Sequence, residues 1–135
     1  MPALYLLDTN TVSAVMADHP KVKARLSLQP GQVIPCAIVR GEIRYGLERL
    51  PVGKRRANLE SKASAVFATL PIEPIMTGAG DIYGPIRRSL ELQGHNLSDN
   101  DLWVAATALS LGATLVSKDQ AFSRVPGLSV EDWTI

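Results

Sequence analysis

A three-layer α/β/α domain around a central, mainly parallel sheet is the fold the sequence predicts, on three observations. Short apolar runs alternate with segments of helical periodicity, the order of a chain built from strand–helix–strand units. The run Ala3-Leu4-Tyr5-Leu6-Leu7 is apolar without alternation, as a strand covered on both faces must be. And 135 residues, 46% hydrophobic and 20% charged, supply one buried core, so residues 1–135 are expected to form a single domain.

In chain order, the first strand stops at Asp8 and should lie centrally in the sheet; Thr9 to Met16 is a short helix, and a second runs past His19-Pro20 through Leu28 to a stop at Pro30-Gly31. Val33-Ile34-Pro35 is a weak second strand whose proline suits a strand end. From Ala37 to Leu50, Val39, Ile43, Leu47 and Leu50 recur at helical spacing. Gly41 and Gly46 interrupt that helix, each at a cost of roughly 1 kcal/mol relative to Ala, which points to close packing or to a ligand approaching the backbone. Leu59, Ala63, Val66 and Leu70 mark the next helix. Residues 71–75 read as a short extended segment, and Ala79, Ile82, Tyr83, Ile86 and Leu90 as a further helix up to Gly94. Ser98 is placed to cap the helix Leu102 to Leu111, with Asp101 three residues on and Gly112 closing it. Ala113 to Ser117 is a clear strand, and Leu128-Ser129-Val130 the last one.

Composition excludes several classes. The single cysteine, Cys36, cannot form an internal disulfide or supply a finger-type zinc site. The longest apolar stretch, Leu102 to Leu109, falls far short of the ~20 residues that cross a bilayer. A cytoplasmic protein without a membrane partner is the expectation. The net charge of +1 hides an asymmetry: residues 21–62 carry ten Lys/Arg against three Glu, and residues 89–135 two Lys/Arg against six Asp/Glu. Solvated helix faces account for such a pattern, and so does a polyanion held beside a cation site.

In an open parallel sheet, ligands bind beyond the carboxyl ends of the strands. Asp8 and Asp119 each stand just past a strand, Asp101 stands in the first turn of a helix, and Glu42 stands about one turn into the Ala37 helix. Acids crowded together repel one another unless a cation sits among them. Oxygen-only ligands favour Mg²⁺ or Mn²⁺ over Zn²⁺. Each acid also has an ordinary use: Asp8, Asp101 and Asp119 as helix or turn caps, Glu42 as an exposed helical acid.

The stretches Leu6-Leu7-Asp8-Thr9-Asn10, Gly41-Glu42-Ile43-Arg44-Tyr45-Gly46, Asn100 to Ala108 and Leu115-Val116-Ser117-Lys118-Asp119, with a tail containing Phe122 to Leu128 and Glu131-Asp132-Trp133, together resemble the PIN-domain ribonucleases and, within them, the VapC-type toxins of bacterial toxin–antitoxin pairs. The set spans nearly the whole chain. The resemblance implies a PIN-like fold, and an endoribonuclease that hydrolyses RNA phosphodiesters, transfer RNA among the candidates, with Mg²⁺ or Mn²⁺. It implies Asp8, Glu42, Asp101 and Asp119 as the catalytic acids, with Asp8, Asp101 and Asp119 on the metal, and Asn10 and Ser117 as polar residues that steady the site. It also implies a small VapB-like antitoxin as partner and a homodimer. The chain departs from the pattern at Val39, where a hydroxyl residue is usual, and at Gly41 directly before the Glu.

RNA affinity comes mostly from phosphate contacts, for which Arg40, Arg44, Arg49, Lys54, Arg55 and Arg56 are the candidates. The apolar helices after Asp8 and around residues 40–70 offer a groove for a partner helix, with Tyr45 and Phe67 as anchors. His19 and His95, beside turns, are expected at the surface. Three other readings compete. A phosphatase of the haloacid-dehalogenase type needs an acid at position 10 as proton donor, and Asn10 has none to give. A phosphoacceptor signalling domain needs an Asp ending a mid-chain strand, and residues 43–72 hold no Asp. A catalytically silent domain that binds RNA or a partner stays open as an alternative, with the four acids weighing against it.

Overall fold

The computed structural model describes residues 3–28, 32–70, 75 and 77–135. Four strands form one all-parallel sheet in the order β2-β1-β3-β4: β1 (Leu4–Leu7), β2 (Gln32–Ile34), β3 (Thr114–Val116) and β4 (Val130–Glu131). Tyr5, Leu6 and Leu7 are all buried although successive side chains point to opposite faces, so β1 is covered on both sides as its unbroken apolar run predicts. Its central place follows from its pairing with β2 on one side (Leu6 opposite Ile34) and β3 on the other (Leu7 opposite Val116).

Six α-helices surround the sheet among the described residues: α1 (Thr9–Met16), α2 (Pro20–Leu28), α3 (Ala37–Glu48), α4 (Lys54–Ala68), α5 (Thr77–Leu92) and α6 (Asp99–Leu111). Pro20 opens α2 at a position where its missing N–H costs nothing, and the half-buried His19 accepts from the Val22 N–H at 3.3 Å. α6 is apolar on most sides, with Leu102 and Val104 to Ala108 buried; it packs on α5 and reaches β1, β3 and α3. The Ser98 hydroxyl accepts from the Asp101 N–H at its start, and Gly112, at φ +63°, closes it in the left-handed conformation. Val39 packs in the core, and α3 begins at Ala37 despite the departures at Val39 and Gly41.

Several expectations change, among them the start of α6, which opens at Asp99 rather than Leu102 because Ser98 is its cap. The last strand is Val130–Glu131 rather than Leu128 to Val130, because its register is set by Leu115 opposite Val130, with the Leu115 N–H on the Ser129 carbonyl. α4 begins at Lys54, five residues before the first apolar position that marks it, because charged residues fill its first turns. α3 ends at Glu48, short of Leu50. Close packing at Gly41 and Gly46 is ruled out: a Cβ built at either meets no atom within 4 Å. The stop at Pro30-Gly31 and most of the extended segment 71–75 lie outside the described residues.

Candidate active site

Parallel strands end on one side of the sheet, so the ladder itself brings together the residues just past β1 and β3. Asp8, directly after β1, is buried; its backbone N–H donates to the Val116 carbonyl at 3.1 Å, which fastens the two strand ends. Its Oδ1 accepts from the Thr11 N–H at 2.8 Å and so caps α1. The buried Thr11 hydroxyl donates to the same Val116 carbonyl at 2.9 Å. Past β3, the buried Ser117 Oγ accepts from the Asp119 N–H at 3.0 Å, and Asp119 Oδ1 accepts from the Ala121 N–H at 2.9 Å, capping the short 3-10 turn Gln120–Arg124. The capping roles expected of Asp8 and Asp119 are therefore real, and each occupies one carboxylate oxygen.

Glu42 is half-buried rather than a fully exposed helical acid: its Oε1 accepts from the Thr9 hydroxyl at 2.9 Å, which joins α3 to the first residue of α1. Asp101 stands in the first turn of α6. Burial pushes its carboxyl above the ordinary range, the Ser98 hydroxyl partly opposes this, and the negative charges of Glu42, Asp119 and Asp8 push it further up. All four acids thus act on one electrostatic neighbourhood, although they come from four separate places in the chain. Among the described residues, no three His, Cys, Asp or Glu side chains are gathered as one ion's ligand set. The donor chemistry, all carboxylate oxygen, and the repulsion felt by Asp101 both suit a hard cation.

Other candidates fall differently. Asn10 is exposed on the first turn of α1 and makes no side-chain hydrogen bond among the described residues, so the polar contacts that fix the acids come from Thr9, Thr11 and Ser117. Neither threonine stands out in the sequence by itself; the signal is a hydroxyl one and three residues after an acid that ends a strand. Asp99 does not face the acids but accepts from the Tyr83 hydroxyl at 2.6 Å and lies 3.5 Å from the Arg87 guanidinium. Of the cations, Arg44 and Arg56 are bound to Glu48 and Glu60, so their charge is already matched. Arg40, Arg49, Lys54 and Arg55 are exposed and without a carboxylate among the described residues. Arg40 lies over the Phe67 ring and Arg49 over the Tyr45 ring. Beside Glu42 opens a cleft of about 590 Å³, lined by Thr9, Gly41, Tyr45, Gly46, Arg49 and Asn100 among others.

A PIN domain family model matches residues 5–128. Ribonuclease VapC2 of Rickettsia felis is 29% identical over 134 residues, covering 96% of this chain and 98% of that protein. Ribonuclease VapC1 of Haemophilus influenzae is 31% identical over 138 residues, covering 97% and 98%. Among solved structures, VapBC2 from Rickettsia felis bound to a DNA fragment from its promoter matches with a TM-score of 0.87 at 29% identity, over 96% of this chain and 98% of that one. DNA-bound VapBC from Salmonella typhimurium matches with a TM-score of 0.86 at 26% identity, over 98% and 99%.

Proposed function

Because the chain belongs to the PIN domain family, we propose that it is a VapC-type endoribonuclease toxin, restrained by a small VapB-like antitoxin and dependent on Mg²⁺ or Mn²⁺. The observation that carries the metal site is the pairing of β1 with β3, which sets Asp8 and the loop bearing Asp119 at the same end of a parallel sheet, near enough to Asp101 and Glu42 for their charges to bear on one another. Asp8, Asp101 and Asp119 are the residues that would hold the ion. When bound, a divalent cation offsets the charge of the scissile phosphodiester and acidifies water next to it.

The chain's own groups do the rest. Thr9 holds Glu42 Oε1, which leaves Oε2 to accept a proton from the attacking water. The Thr11 and Ala121 backbone N–H groups each hold one oxygen, of Asp8 and Asp119 respectively, which leaves the other oxygen of each carboxylate for a cation. Ser117 tethers the loop that carries Asp119.

The antitoxin is assigned to the apolar cleft of about 480 Å³ between α1, α3 and α4, where Met16, Ile43, Leu47, Leu50 and Leu59 offer the greasy wall that an amphipathic helix requires. The test is direct: the purified chain is incubated with single-stranded RNA and transfer RNA in Mg²⁺, in Mn²⁺ and with chelator. Cleavage that needs the ion and stops when the co-expressed antitoxin is added supports the reading. Cleavage that survives chelation removes the metal from it, and intact RNA under every condition overturns it.

A further inference from the structure

Along α3 and its C-cap, Ile38, Gly41, Glu42, Tyr45, Gly46 and Arg49 recur at helical spacing and all line the cleft that contains Glu42. Gly41 and Gly46 leave its floor bare, since a Cβ at either would meet open space. Tyr45, one turn beyond Glu42, is 65% exposed, the one aromatic among the large hydrophobic residues that the described surface leaves open. The Arg49 guanidinium lies 5.6 Å from the centre of its ring and is paired with no carboxylate among the described residues. The structure has ample carboxylates to match its arginines, and Arg25, Arg44, Arg56 and Arg87 are all so matched. Asn100, across the cleft, presents an amide able to meet the edge of a base.

An exposed ring with a cation on one face and a bare backbone floor beside it is how proteins seat successive nucleotides of a single strand: the ring stacks a base and the cation meets the phosphate. We propose that Tyr45 and Arg49 form a grip for single-stranded RNA, with Tyr45 stacking the base that flanks the scissile phosphate and Arg49 bracing the ring and meeting the backbone. Duplex RNA offers no unstacked base to such a ring, so the grip selects loops and ends. The proposal rests on the ribonuclease reading and adds to it two residues that seat the substrate.

Tyr45→Ala, Tyr45→Phe and Arg49→Ala are compared with the parent on short end-labelled single-stranded RNA, with circular dichroism confirming the fold. The grip predicts that Tyr45→Ala raises KM on the order of ten- to a hundredfold, with the effect on KM rather than kcat, because stacking is a binding term. Tyr45→Phe keeps the ring and should restore KM to within about threefold. Arg49→Ala should lessen the salt dependence of binding by about one phosphate's worth. RNA carrying 2-aminopurine should lose fluorescence on binding the parent and not on binding Tyr45→Ala. An unchanged KM for Tyr45→Ala in a parent that does cleave overturns the grip and leaves the ribonuclease reading standing. So does a Tyr45→Ala chain that keeps its RNA kinetics and loses its antitoxin or its self-association, which would make this face a protein surface. A parent that neither binds nor cuts RNA overturns both.

Discussion

The Asp8 N–H and the Val116 carbonyl meet at 3.1 Å across the ends of β1 and β3, and the Thr11 hydroxyl closes on the same oxygen at 2.9 Å. One carbonyl thus fixes both the acid after the first strand and the helix that leads away from it.

Thr11→Val removes the second of these bonds while keeping the shape. The Val116 oxygen still accepts from Asp8, so the cost should stay near that of one ordinary hydrogen bond, about 1 kcal/mol, seen as a lower urea midpoint at unchanged slope. A loss several times larger would mean that the hydroxyl does more than bridge the two elements.

Asp8→Asn separates structure from chemistry. An asparagine oxygen caps α1 about as well as the carboxylate it replaces, so the melting temperature should hold. RNA cleavage should fall on the order of a hundredfold or more, because the charge that steadies the ion is gone. Undiminished cleavage by this variant would remove Asp8 from the site.

Asp101 gives a pH signature. Its carboxyl titrates above the ordinary range because of burial and then the charges of Glu42, Asp119 and Asp8. An acid with a higher pKa folded than unfolded supports folding while protonated, and that support is lost as pH rises through the folded pKa. Asp101→Asn is uncharged throughout, so without metal it should melt above the parent at neutral pH. The difference should close as pH falls below about 4, where the parent's Asp is protonated in both states. Thermal melts in chelator across that range check it, and a parent that outlasts the variant at neutral pH contradicts the assignment.

Gly112→Ala tests the cap of α6. Space is not the obstacle, since a Cβ there meets nothing within 4 Å; the obstacle is φ +63°, which an L side chain adopts at a cost of about 1 kcal/mol. Denaturant unfolding should show that loss, with cleavage by the folded variant unaffected.

Much of this was legible in the residues because it is written locally. An unbroken apolar run gave β1 as the central strand, and Ser98 and Gly112 bracket α6 by chemistry confined to a few positions. What lay hidden depends on partners far away in sequence. Thr9 and Glu42 are 33 residues apart, and only the packing of α1 on α3 joins them. Arg56 was hidden for a different reason: Glu60 stands one helical turn on and Glu48 eight residues back, and only the turn from α3 into α4 sets both against it. β4 moved toward its acidic end because two residues of strand carry too little pattern to outweigh the register imposed by β3. The proximity of the acids was readable from strand ends, whereas the caps that occupy their oxygens had to be seen in three dimensions.

The pairing of β1 with β3, the first strand with one that comes more than a hundred residues later, also times the birth of activity. A nascent chain carries Asp8 and Glu42 well before Thr114–Val116 is translated, but Val116 is what holds the end of β1 in place, and Asp119 comes later still. So distant a contact closes late. On the proposed assignment of Asp119 to the site, cleavage can begin only once the last part of the chain has been made and has folded.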